Sequence, residues 1–129
     1  MTAGPEDFDM SAAWLRRAQG DLKAFMSGLA ARLDGALPGR VTVDRQRNGW
    51  FSSESHVTRI TISLDRGLFT LADDRGHLVA KRAKIVRGVT INTETMPVPA
   101  WLTVLNEDIH ALGEEAGTAH AVLHDFLMS

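Results

Sequence analysis

Two histidines stand four residues apart near the C-terminus, His120 and His124, with Asp125 beside the second. On a helix that spacing puts both imidazoles on one face, as a helical metal site requires. A zinc-protease pattern would place Glu directly after the first histidine, where this chain has Ala121, and no third ligand is evident. His110 and Glu114 share a helical face and could add a ligand only if the helix folds back. Two ligands rarely make a site, so the plainer reading is a surface or packing pair. No metal and no other cofactor is expected.

The densest charge run is Lys81-Arg82-Ala83-Lys84, with Arg87 close behind. Arg45, Arg47, Arg59 and Arg75 fall on neighbouring strands or turns, and Trp50-Phe51 follows a turn signal. Basic strands with exposed aromatics can hold single-stranded nucleic acid through phosphate contacts and stacking. Against this, the pI near 6.2 is well below the basic footprint of such binders, and no RNA-binding signature is present. The plainer reading is a solvated face that pairs with an acidic C-terminal segment.

Nucleophilic chemistry finds little to work with. There is no cysteine, no Gly-x-Ser-x-Gly elbow and no phosphate-binding glycine run. Asp73-Asp74 is a paired carboxylate, but it sits in a turn signal, where Asp is favoured for side-chain hydrogen bonds to the backbone. Trp101 reads either as core under a connector or as an interface anchor, since Trp is enriched where binding energy concentrates.

The elements that must position these residues are legible from periodicity. Leu102, Ile109, Ala116 and Leu123 recur every seven residues, and Val98, Leu105, Leu112, Ala119 and Phe126 form a second row. At 3.6 residues per turn the rows lie side by side as one apolar stripe, starting near Pro99. A second stripe, Leu15, Ala18, Leu22, Phe25, Met26, Leu29 and Leu33, marks a helix capped by Asp9 or Ser11. It should stop at Gly35 and Pro38, and residues 1–8 read as a flexible tail.

Between the helices the period falls to two. Val41 and Val43 lead to Asn48-Gly49, a pair suited to a tight hairpin. Thr58, Ile60, Ile62 and Leu64 then alternate with Val57, Arg59, Thr61 and Ser63. Asp65-Arg66-Gly67 and Asp73-Asp74-Arg75-Gly76 are turns too short for parallel crossovers, so the strands must run antiparallel. Residues 77–92 read as one long strand kinked at Gly88, or as two strands turning at Arg87-Gly88. The first is preferred, because Arg-Gly is a poorer hairpin pair than Asn-Gly. Residues 93–99 read as a connector, with Met96 and Val98 held out of helical geometry by the prolines that follow them.

The expected fold is α+β in a single domain, 1–129. It is a two-layer sandwich: an N-terminal helix, a four- or five-stranded antiparallel meander and a long C-terminal helix. One sheet face, with Val43, Ile60, Ile62, Phe69 and Leu71, would pack on the helices. An unbroken helix from Pro99 to Met128 would be ~45 Å long, against ~24 Å for five strand spacings. It must therefore break near Gly113 or Gly117, with Thr118 capping the next segment, or overhang onto another chain. This order is similar to that of small bacterial α+β interaction domains, secretion-chaperone-like folds among them. The likeness is one of architecture and carries no motif, so it implies no residue role.

The net charge of −2 conceals an uneven spread: −1 over residues 1–39, +5 over 40–92 and −6 over 93–129. The acidic N-terminal stretch is no secretory signal, no apolar run is long enough for a membrane span, and the lack of cysteine fits a reducing cytoplasm. The leading expectation is a non-enzymatic protein–protein interaction module, adaptor- or chaperone-like, a homodimer that also binds an unknown protein. Trp101, Leu123, Phe126, Lys81, Arg82 and Lys84 are its candidate contacts. Nucleic-acid binding on the basic sheet comes second, and a small-ligand or metal protein third.

Overall fold

The computed structural model describes residues 20–47, 49–51 and 53–128. The expected tail, the Asp9 or Ser11 cap, Leu15, Ala18 and Asn48 lie outside the described residues. The elements in order are α1 (Leu22–Ala36), β1 (Val41–Arg47), β2 (Ser55–Ser63), β3 (Gly67–Asp74), β4 (His77–Val86), β5 (Val89–Met96), α2 (Val98–Ala111), a 3₁₀ turn (Gly113–Ala116) and α3 (Ala119–Met128). The strands form one antiparallel meander in sequence order. The α+β sandwich expected from periodicity is the observed architecture.

α1 begins at Asp21, whose carboxylate accepts from the Ala24 N–H at 3.0 Å. This cap satisfies one of the free donors at the helix start. Asp21 itself is non-helical at φ −150°, so the single helix expected from the Leu15–Leu33 stripe is interrupted there. The helix also passes through Gly35, and the left-handed residue beyond it is Gly39 at φ 77°. Phe25, Met26, Leu29, Ala30 and Leu33 are buried along its inner face.

Two cross-strand rows face the helices, Val43–Ile60–Leu71–Ala80–Met96 and Val41–Ile62–Phe69–Arg82–Glu94. Ile60, Ile62, Phe69 and Leu71 are fully buried at their centre. α1 lies against β1 and β2, α2 against β4, and α3 against α1 and α2. All large aliphatic positions of the C-terminal stripe from Leu102 to Leu123 are buried in this one core.

Four expectations are corrected. A bulge leaves Thr58 unpaired between Asp44–Arg59 and Arg45–Val57, which flips the phase of β2 and sends Val57, not Thr58, into the core. β1 and β2 are joined not at Asn48-Gly49 but by residues 48–54, since Arg47 pairs with Ser55. Residues 77–96 are two strands turning at Arg87-Gly88, with both residues at positive φ, 53° and 79°. Gly takes the second position at no steric cost, and Arg87 accepts the left-handed region to close a turn whose twist suits the strands. Arg75-Gly76 repeats the device at φ 54° and 88°. Finally, the expected connector is strand up to Met96, and Val98 is already helical.

The C-terminal helix breaks where its glycines stand. Gly113 and Gly117 take positive φ, 64° and 54°, on either side of the 3₁₀ turn. The chain folds back, the Thr118 carbonyl accepting the first helical bond from Val122 at 2.9 Å. The fold-back sets Phe126 against Phe25, ring centroids 5.6 Å apart. The overhang onto another chain is therefore not formed, and the stripe finds its partners within this chain.

Candidate functional site

The helices cover one face of the sheet, and no described element covers the other. Across that open face runs the row Thr42–Thr61–Thr70–Lys81–Thr95, one residue from each strand. Next to it lies Asp44–Arg59–Ala72–Val79. Right-handed strand twist curves the sheet, and Thr61, Thr70 and Lys81 of the first row, with all four residues of the second, line a trough of about 630 Å³. Threonine suits such a surface because its methyl packs while its hydroxyl offers both donor and acceptor.

The charges of the trough are mixed. Arg59 and Lys81 stand among Asp44, Asp73 and Asp74. Arg59 lies 3.9 Å from Asp44, both half-exposed, a geometry worth little in stability. Asp73 accepts from the Gly76 N–H at 2.9 Å, so it serves the turn as its position implied.

The basic cluster is divided between environments by strand alternation. Lys81 is exposed on the open face. Arg82 points to the helices, its Nη2 2.9 Å from Asp108 on α2. It lies over the Phe69 ring, 5.5 Å from the centroid, and also donates to the Arg66 carbonyl at 3.3 Å. Its Nε is buried with no hydrogen-bond partner. Lys84 is exposed opposite Asn92 of β5. The basic residues thus form no continuous strip.

Gly67 makes room for the Arg82–Asp108 pair. A Cβ there would meet Arg82 Nε at 2.9 Å, Phe69 Cε1 at 3.0 Å and Asp108 Oδ2 at 3.1 Å. Gly67→Ala is expected to cost about 1–3 kcal/mol through overpacking, read from urea unfolding. A cost within error would show that the ion pair has slack.

The other expected contacts lie inside the molecule. Trp101 is fully buried and donates from Nε1 to the Lys81 carbonyl at 2.9 Å. Leu123 is buried, and Phe126 is half-buried against α1, where a Cβ on Gly28 would sit 2.8 Å from its ring. These three serve packing within this chain. Trp50 and Phe51, by contrast, stand fully exposed on the β1–β2 loop.

The fold-back brings His120 to His110, ring centroids 4.5 Å apart, while His124 sits 3.8 Å from Asp125. Among the described residues no three His, Cys, Asp or Glu side chains are grouped to hold a metal ion. No described helix is long and apolar enough to cross a membrane.

Sequence reasoning missed the threonine row and Asp108. Alternation placed Thr61 outward, but the row exists only through the register of five strands. Asp108 stood among apolar stripe positions, the one available signal that a buried cation should face it. No protein-family model, no curated protein and no solved structure matches the chain.

Proposed function

We propose that this is a non-enzymatic protein–protein interaction module, adaptor- or chaperone-like, that holds a segment of a partner protein on the open face of its sheet. Its setting is the cytoplasm, where a chain without cysteine forgoes nothing by lacking disulfides. The observation that carries the reading is the uncovered trough lined by Thr58, Thr61, Thr70, Arg59, Lys81 and Asp44. Small-molecule sites enclose most of their ligand within largely apolar walls. A broad trough with hydroxyls and both signs of charge suits a polypeptide, which offers its own mixed side chains and main-chain groups. The divided basic residues and the three aspartates at the trough give a phosphate backbone no continuous track.

Affinity capture from native cells, with purified partner then titrated against wild type and Thr61→Arg/Thr70→Glu, whose opposite charges face each other and support the sheet, tests this. Both substitutions lie on the open face and leave the core untouched. The double variant should bind the partner at least about tenfold more weakly, a loss of roughly 1.4 kcal/mol. Capture of nucleic acid instead, lost between about 50 and 200 mM salt, would overturn the reading.

A further inference from the structure

The β1–β2 hairpin ends in two neighbouring aromatic residues turned out to water, Trp50 at 92% exposure and Phe51 fully exposed. The hairpin also projects. Its pairs Arg45–Val57, Gln46–His56 and Arg47–Ser55 lie beyond Arg59–Ala72, the last pair that β2 makes with β3. A lone exposed apolar residue is ordinary, but two adjacent rings on a projecting tip mark a contact site. Val57 is buried with the core, so its partner Arg45 stands on the helix side of the sheet, and so does Arg47 two residues on.

At the same end of the molecule lies a hollow of about 250 Å³, lined by Asp21, Ala24, Phe25 and Phe126. Its place follows from the lengths of two elements. α1 spans 15 residues, ~22 Å at 1.5 Å per residue, and β1 spans 7, ~23 Å at 3.3 Å. Only residues 37–40 separate them, so β1 returns antiparallel beneath α1 and the β1–β2 loop comes level with Asp21. The outer wall of the hollow is held firmly. The Phe126 ring meets Phe25 at 5.6 Å and Arg32 at 5.8 Å, and a Cβ on Gly28 would lie 2.8 Å from it. Small-molecule clefts run to about 300–1,000 Å³; this smaller hollow suits one aromatic side chain.

We propose that Trp50 of each copy fills the hollow of a second copy, in a dimer whose twofold axis lies beyond this end of the sheet. Phe51 then rests on the rim beside Ala24 of the partner subunit, and Arg45 and Arg47 face the partner's Asp21. That carboxylate gives one lone pair to the Ala24 N–H and keeps others for a guanidinium. Finger and hollow share one end, so a twofold forms both contacts at once and closes the assembly. At 92% exposure Trp50 does not enter the hollow of its own chain. Four rings at about 150–250 Å² each put roughly 600–1,000 Å² of finger into contact. With the surface they cover, the interface comes near the ~1,200 Å² at which stable ones begin. A reversible dimer is the expectation. No residue of finger or hollow lines the trough, so the dimer and the open-face reading stand or fall separately.

Sedimentation equilibrium of the full chain tests the proposal. The mass should climb from 14.1 kDa toward twice that value between about 10 µM and 1 mM. Trp50→Ala should weaken the dimer at least about thirtyfold, as loss of an interface anchor does. The position is exposed, so the unfolding midpoint should not move. The chain has no cysteine, and mild oxidation of Phe51→Cys mixed with Ala24→Cys should favour the mixed disulfide over either symmetric one. Three results would overturn the proposal. One is a mass fixed at the monomer value up to about 1 mM, where any dimer tighter than millimolar is populated; the finger would then serve a lipid surface or another protein. The second is a Trp50→Ala variant that dimerises as wild type does. The third is a mixed disulfide no more abundant than the symmetric ones.

Discussion

Trp101→Ala should lower the unfolding free energy by about 3–5 kcal/mol, the range for truncating a buried Trp. The side chain is wholly removed from water and meets the Phe69 ring edge-on, centroids 5.9 Å apart. Its indole N–H is satisfied by the Lys81 carbonyl across the sheet–helix interface. The residue therefore fixes the first turn of α2 against β4 both by apolar area and by direction. Trp101→Phe keeps most of the area and removes the indole N–H, so it should cost about 0.5–1.5 kcal/mol, the net worth of one hydrogen bond. Chemical unfolding followed by circular dichroism measures both, since fluorescence would lose its buried reporter. If the two variants lose equal stability, the hydrogen bond matters and the packing does not, contrary to this account.

Asp108→Ala should cost about 3 kcal/mol, the lower end for breaking a buried ion pair, because Arg82 keeps some exposure. The loss comes less from the missing attraction than from the stranded Arg82 guanidinium. The double variant Arg82→Met/Asp108→Leu should recover most of it, since apolar residues of similar volume replace buried ion pairs at little cost. Thermal melts suffice: at about 3–4 °C per kcal/mol for a chain this size, Asp108→Ala should melt roughly 10 °C lower. Additive losses in the double variant would show that the two side chains do not act as a pair.

Local periodicity carried most of the fold. The stripe of α1, the alternation of Ile60 and Ile62 and the glycines at 113 and 117 each report on their own neighbourhood, and each was legible. Errors fell where one residue alters the phase of a whole segment. The Thr58 bulge is an extra residue that alternation cannot register, so it exchanged the faces of Val57 and Thr58. Arg87 at positive φ is a strained choice that propensity argues against, and the pairing of β4 with β5 imposes it.

The chemistry of the surface was harder to read for a related reason. Lys81, Arg82 and Lys84 look like one cluster on paper, yet adjacent strand residues point to opposite faces. Whether Arg82 is solvated or buried depends on where α2 crosses the sheet, twenty-six residues further along the chain. The threonine row is likewise a property of registry: no two of its members are neighbours in sequence. Trp101 reads from sequence as core or as interface anchor, because its size makes exposure costly in either case, and only the packing of α2 on β4 decides for the core.

The packing of α3 on α1 has a consequence for the order in which the molecule assembles. Every strand pairs with its neighbour in the chain, so the meander can grow one short loop closure at a time. The contact of Phe25 with Phe126 instead closes a loop of about a hundred residues, which costs roughly 4 kcal/mol of chain entropy at (3/2)RT ln n if formed first. Sheet and α2 must shorten that loop before the seam repays it. The α1–α3 seam is thus the late event in folding and, by the same reasoning, the first to open.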